Sequence, residues 1–244
     1  MFPKEMSYRN TYIFGVVYAL CFLISAAVIN YFTWSPGPTE ANSKLFIFAI
    51  IFWTLQYLPI FIFTKYADWK IKDFGYVLNY KVLAFTAFVV VISMLTAIFN
   101  MHNLYVNYIN VKSFINVLVE TYARTGEEVF TRGFLYELIF RLFKNKKRPW
   151  LWAILISSIC FAIVHTQTFL PESGTRMIDV FEAALLLSLI RYWTGSILPG
   201  IVIHIAIELR NLSGVIGAIF GILFYYLFVF LAYKKGEDVI EKRA

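Results

Sequence analysis

The sequence predicts an all-α fold: a polytopic membrane protein of about eight transmembrane helices around a polar intramembrane cavity. Three observations carry that reading. Of 244 residues, 60% are hydrophobic and only 15% charged, with a mean hydropathy of +0.68, against roughly 45–50% and about 25% in soluble domains. The apolar residues gather in blocks near the ~20 residues a bilayer-crossing helix needs, and none shows the period-2 alternation of a membrane barrel strand. The cations lie between the blocks, and mostly on one side.

Eight segments can be drawn in order. Tyr12–Phe32, Leu45–Phe63 and Val82–Phe99 are plain spans. Ser113–Phe143 is long and interrupted by charge. Leu151–Phe169 is again plain and contains His165 well inside it. Met177–Trp193 carries Asp179 and Glu182, and Ile197–Leu209 is short and opens with Pro199-Gly200. Ser213–Tyr233 closes the set, with Gly217-x-x-x-Gly221 suited to close helix packing. Backbone irregularity at Pro199-Gly200 is tolerable at membrane depth only where it is buried in protein or faces a cavity.

Alternating sides from the N-terminus, one side receives Lys4 and Arg9, the Lys65–Lys81 group, the Arg141–Arg148 cluster, Arg191 and the C-terminal cations. That side holds 16 Lys and Arg residues; the other holds 4, namely Lys44, Lys112, Arg176 and Arg210. The excess predicts both termini in the cytoplasm, and Phe, Tyr, Ile and Lys usage points to a bacterial cell membrane. The chain reads as a single membrane domain, with 1–112 as accessory spans, 113–211 as a catalytic core, and 212–244 as the last span and cytoplasmic tail. The formal charge of +7 does not mark a nucleic-acid binder, because the cations form no amphipathic basic face. Cys21 and Cys160 both sit in apolar segments, where buried, unpaired cysteines are expected.

Charge inside a span costs about 2.5–3.5 kcal/mol per residue on insertion scales and therefore marks function by default. In the fourth segment Glu120, Glu128 and Glu137 each stand four residues before an arginine, Arg124, Arg132 and Arg141. This is the favoured order for an ion pair on one helix face, and these pairs can be structural. Glu127 has Thr131 and Ala123 at the corresponding positions. Burial of a carboxylate with no cation beside it raises its proton affinity, which suits a general base near neutral pH. The structural alternative is that Glu127 shares Arg124, three residues earlier. Two of the three histidines, His165 and His204, lie on other spans. A glutamate with two histidines can deprotonate water and stabilise an oxyanion, hydrolysing a carbonyl centre with no covalent intermediate. The same three groups are also compatible with zinc, and spacing does not separate these chemistries. No cofactor is expected otherwise.

Glu127-Glu128-Val129-Phe130-Thr131-Arg132 matches the EExxxR motif of the CAAX prenyl protease and bacteriocin-processing (CPBP, or Abi) family. Phe161 to His165 matches its FxxxH motif, and Thr194-Gly195-Ser196-Ile197 followed by His204 resembles the approach to its HxxxN or HxxxD motif. The sequence thus resembles that family of intramembrane proteases from about Ser113 to Asn211. The resemblance implies that Glu127 is the catalytic glutamate, that His165 is its partner in activating water, and that His204 contributes to the oxyanion site. Glu128 and Arg132 would hold the motif, with Phe161 in support. One departure stands out: the fourth residue after His204 is Glu208, which cannot donate a hydrogen bond while ionised. Asn211 could stand in if the helix continued past Arg210. The expected substrate is a hydrophobic or lipidated peptide or protein met among membrane lipids, through CAAX-type processing, peptide maturation or bacteriocin self-immunity. The alternatives are a non-catalytic immunity or scaffold protein and, further off, a proton-coupled transporter.

Overall fold

The computed structural model describes residues 8–33, 51–100, 111–165, 174–209 and 211–234. Among these, every regular element is helical and none is a β-strand. Helix α1, Tyr8–Thr33, contains the first expected span. The second expected span is not a plain helix. Residues 51–55 are helical, a turn follows at Gln56-Tyr57, and α2 starts anew as Leu58–Tyr66. Pro59 explains the break, since a proline lacks the N–H and the clearance an uninterrupted helix requires and is accepted in a first turn. The N-terminal part of that segment lies outside the described residues.

A 3-10 turn, Ile71–Phe74, ends at Gly75 with φ +84° and leads into α3, Tyr80–Asn100. The charged fourth segment is one continuous rod in three parts: α4 (Val111–Glu128), a π-helical stretch (Val129–Leu135) and α5 (Tyr136–Leu142). Then come α6 (Pro149–Val164), α7 (Gly174–Thr194), α8 (Leu198–Leu209) and α9 (Asn211–Lys234). Pro199 sits in the first turn of α8, where its missing N–H costs nothing, and the backbone at Pro199-Gly200 is ordinary helix. The expected irregularity there is absent.

Helix α9 packs against α8, α3 and α4, and α6 against α7 and α5. The glycines of α9 make the first of these contacts close. A Cβ on Gly217 would stand 2.7 Å from Ile205 Cγ2 and 2.9 Å from Thr121 Oγ1, and one on Gly221 would stand 2.7 Å from Ile205 Cδ1. One core runs from Tyr12 to Ala232. The N-terminal helices join it through aromatic contacts: Phe22 with Phe130 at 4.2 Å between ring centroids, and Phe63 with Phe134 at 5.0 Å.

The outward faces are apolar. Ile13, Val17, Leu20 and Ile24 on α1 are exposed, as are Leu83, Phe88, Val91 and Leu95 on α3, and Leu223, Leu227 and Phe230 on α9. Stripes of this size are unusual on a soluble monomer. Two described helical stretches, Arg9–Ala26 and Ser213–Lys234, are long and apolar enough to cross a membrane, and Tyr80–Thr96, Pro149–Val164 and Leu198–Leu209 are shorter apolar helices. Both cysteines are free, but Cys21 is exposed on α1 and Cys160 is half-buried, so neither is the buried thiol expected. Cys21 lies on an outward helix face, and Cys160 packs against the edge of the core.

Candidate active site

The three (i, i+4) pairs of the fourth segment all form. Arg124 Nη2 lies 3.1 Å from Glu120 Oε2, Arg132 Nη1 lies 3.0 Å from Glu128 Oε1, and Arg141 Nε lies 2.6 Å from Glu137 Oε1. The middle pair is wholly buried, with Glu128 0% and Arg132 1% exposed. A buried pair needs further hydrogen bonds to offset its desolvation, and here they are present in part, with Glu128 Oε2 and Arg132 Nε buried and unpartnered. Arg132 Nη1 also donates to Thr131 Oγ1 at 2.8 Å, Nη2 donates to Ala184 O at 3.3 Å, and the guanidinium lies over the Phe161 ring at 4.3 Å.

The π-helical stretch begins one residue after Glu128. Its i→i+5 pattern, with Tyr136 N bonding Thr131 O, alters the register of the rod next to the two glutamates. Single-turn π segments recur at functional sites because they re-aim side chains in this way. The Thr131 hydroxyl donates to the Glu127 carbonyl oxygen. From α7, Arg191 Nε donates to Arg132 O at 3.3 Å, Nη2 to Asp73 O at 3.2 Å, and Nη1 to Gly195 O. One buried guanidinium thus ties the π stretch to the 3-10 turn and to the loop before α8.

Three helices meet around these groups. His204, near the middle of α8 and 8% exposed, donates from Nδ1 to Glu128 Oε1 at 2.9 Å. Its Nε2 faces Glu127 Oε2 at 3.6 Å. Gly200, one turn earlier on α8, makes this approach feasible: a Cβ there would stand 2.8 Å from Glu128 Oε2. Gly200 therefore serves side-chain clearance rather than backbone irregularity. Phe161 on α6 lies between the parts, 4.4 Å from the His165 ring and 6.0 Å from the His204 ring.

His165 is not deep in a helix. α6 ends at Val164, and His165 takes the cap position with φ −80° and ψ 58°. At 16 residues the helix is about 24 Å long at ~1.5 Å per residue, so the imidazole sits at a helix end, where the backbone can turn. Its Nδ1 donates to Phe161 O at 2.8 Å, and no partner of Nε2 is found among the described residues. Arg124 and His204 are the groups that stand directly at the Glu127 carboxylate, at 2.9 and 3.6 Å.

Glu127 itself is not the unpaired carboxylate expected. Arg124 Nη1 donates to its Oε1 at 2.9 Å. Spacing left the arginine a choice between Glu120 at i−4 and Glu127 at i+3, and the fork of the guanidinium serves both. The second oxygen, Glu127 Oε2, is buried without a hydrogen-bond partner, although the side chain keeps 15% exposure. Glu208 turns towards Arg124, with Nη2 at 4.0 Å from Oε2, and is half-exposed. α8 ends at Leu209 and Asn211 opens α9, so the helix of His204 does not run on to Asn211, whose side chain lies outside the described residues.

Arg124, Thr131 and Arg191 are the site groups that sequence reasoning left out. Arg124 was legible as an i−3 neighbour of Glu127, whereas Arg191 acts on backbone carbonyls of two distant segments and of Gly195 four residues on, and its type and position gave no signal of that. Among the described residues, no group of three His, Cys, Asp or Glu side chains is placed to hold a metal ion. Glu127 and His204 face each other at 3.6 Å, whereas His165 contacts Phe161.

No curated protein and no solved structure matches the chain. Residues 109–210 match the family model described as Type II CAAX prenyl endopeptidase Rce1-like. The matched stretch contains Glu127, Glu128, Arg132, Phe161, His165, His204 and Glu208, and stops one residue before Asn211. The segment in which a helix–helix contact brings a glutamate pair against His204, with His165 beside Phe161, is thus a segment similar to the Rce1-like CAAX prenyl endopeptidases, in agreement with the CPBP resemblance of its motifs.

Proposed function

We propose that the protein is a CAAX-type intramembrane endopeptidase that hydrolyses a peptide bond of a membrane-associated or lipidated peptide by means of activated water. The observation that carries this reading is the facing pair of Glu127 Oε2 and His204 Nε2, 3.6 Å apart, with Oε2 buried and unpartnered. A water bridging the two from the side has a base at one hydrogen bond and an imidazole at the other, close enough to serve attacking and carbonyl oxygens together. Glu127 Oε2 takes a proton from water as the water oxygen attacks the carbonyl carbon. His165, oriented through its Nδ1 bond to Phe161 O, shares the water through Nε2. His204, protonated and held by Glu128 at Nδ1, donates from Nε2 to the oxyanion. As the C–N bond breaks, Glu127 returns the proton to the departing amine.

The Rce1-like match supports peptidase chemistry and membrane embedding. The apolar stripes on α1, α3 and α9 support lipid contact around the bundle. The full topology, eight spans around a polar cavity with cytoplasmic termini in a bacterial membrane, belongs to the same proposal. It rests on the cation asymmetry and on a set of helices that, apart from the broken second span, follow the drawn segments. Purified protein in lipid vesicles with a farnesylated CAAX peptide tests the chemistry. Glu127→Gln is expected to abolish cleavage, and His165→Ala to reduce it by at least about 100-fold, the scale of a lost acid–base group. Unchanged cleavage in both variants rejects the assignment.

A non-catalytic immunity or scaffold role is the second reading, favoured by Glu208 alone. In that case Glu127→Gln leaves protection against a membrane-active peptide intact.

A further inference from the structure

We propose that Arg124 is a positioning residue for the hydrolysis described above, an inference that rests on Glu127 being the base. Its guanidinium decides which oxygen of Glu127 meets the water, and it gives Glu208 its task. Arg124 Nη1 holds Glu127 Oε1 at 2.9 Å. Nη2 reaches Glu120 Oε2 at 3.1 Å on the same helix and Glu208 Oε2 at 4.0 Å on α8.

A glutamate carboxylate turns about a broad, two-fold terminal torsion, so an unheld Glu127 would exchange its two oxygens and wander from His204. A charge-assisted hydrogen bond to one oxygen stops that exchange. The oxygen left over is Oε2, buried without a partner and 3.6 Å from His204 Nε2. Glu208 occupies the fourth position after His204 and, ionised, cannot donate to an oxyanion. Its carboxylate is directed to Arg124 across the α4–α8 contact. It acts on the reaction through the cation: Glu208 and Glu120 brace the guanidinium from one side, and Glu127 receives it on the other.

The test uses full-length protein in lipid vesicles and a farnesylated fluorogenic CAAX peptide. Arg124→Gln is expected to lower kcat by about 10- to 100-fold, the scale of an ångström-level misplacement, with KM little changed. Arg124→Lys should recover part of that loss. Glu208→Gln should lower kcat less, and the Arg124→Gln/Glu208→Gln double variant should be no worse than Arg124→Gln alone. Wild-type kcat in Arg124→Gln, or a change confined to KM, overturns the inference. Glu127→Gln is run beside it. If Glu127→Gln still cleaves, the base assignment itself falls; if it is silent while Arg124→Gln turns over normally, only the present inference falls. A substrate-free arm covers a poorly folding Arg124→Gln or an uncleaved peptide. Dicyclohexylcarbodiimide labelling of Glu127, read by mass spectrometry, should run several-fold faster in Arg124→Lys than in wild type, and equal rates overturn the proposal.

Discussion

Replacing Glu128 by leucine exposes the energetics on which the site stands. The pair Glu128–Arg132 is buried to 0% and 1% exposure, and removing one partner of such a pair costs about 3–5 kcal/mol because the other charge stays buried. The two single variants should differ, because the structure gives the survivors different fallbacks. Without Glu128, Arg132 has no carboxylate in direct contact among the described residues and keeps Thr131 Oγ1, Ala184 O and the Phe161 ring, so Glu128→Leu takes the upper end of that range. Without Arg132, Glu128 still accepts from His204 Nδ1, and a protonated imidazole supplies the missing charge, so Arg132→Met takes the lower end. The double variant removes both charges and leaves mainly the His204 Nδ1–H without an acceptor, a cost of about 1–3 kcal/mol. It should therefore be more stable than Glu128→Leu and fall short of additivity by at least ~2 kcal/mol, while remaining inactive because His204 has lost its anchor. Unfolding of the purified protein in mixed micelles, followed by tryptophan fluorescence across a denaturing-detergent titration, gives the double-mutant cycle. Additivity within about 0.5 kcal/mol would refute the claim that this pair is one coupled, buried unit.

Three further outcomes follow from the same geometry. Gly200→Ala places a methyl 2.8 Å from Glu128 Oε2, and with Glu128 pinned by Arg132 and His204 the strain should lower stability by about 1–3 kcal/mol, read as a fall in unfolding midpoint. Since Glu127, His165 and His204 do not gather as a ligand set, cleavage should withstand a strong zinc chelator; loss of turnover restored by added zinc would replace the proposed water activation with metal chemistry. Single cysteines placed at Lys146 and at Lys44 in a cysteine-free background should react with an impermeant thiol reagent from opposite faces of oriented vesicles, and labelling from the same face would sink the eight-span topology.

Much of this was written in local sequence. Hydropathy blocks marked most of the helices, because burying backbone polar groups in an apolar surround leaves the helix as the economical form. The Glu120–Arg124, Glu128–Arg132 and Glu137–Arg141 pairs were legible because a helix brings i and i+4 together whatever surrounds it. The motif residues Glu127, His165 and His204 could be named from their type and rarity at membrane depth. Local pattern failed where a side chain had more than one neighbour in reach or where the backbone departed from the regular period. Pro59 broke the second segment within an apolar run that reads as continuous, and α6 stopped at Val164, setting His165 at a helix end.

What only the tertiary structure decided is how the helices stand in register across their contacts. Arg124 had Glu120 and Glu127 equally within local reach, and the approach of α8 with Glu208 settles what its guanidinium spans. Whether His204 meets Glu128 depends on Gly200 letting α8 come close, and Arg191 finds the Arg132 carbonyl only because α7 crosses the π-helical stretch. Periodicity along a chain fixes which residues share a face. The depth and rotation at which two faces dock are set by side-chain volumes and polar partners contributed by both, and a single helix carries only half of that information.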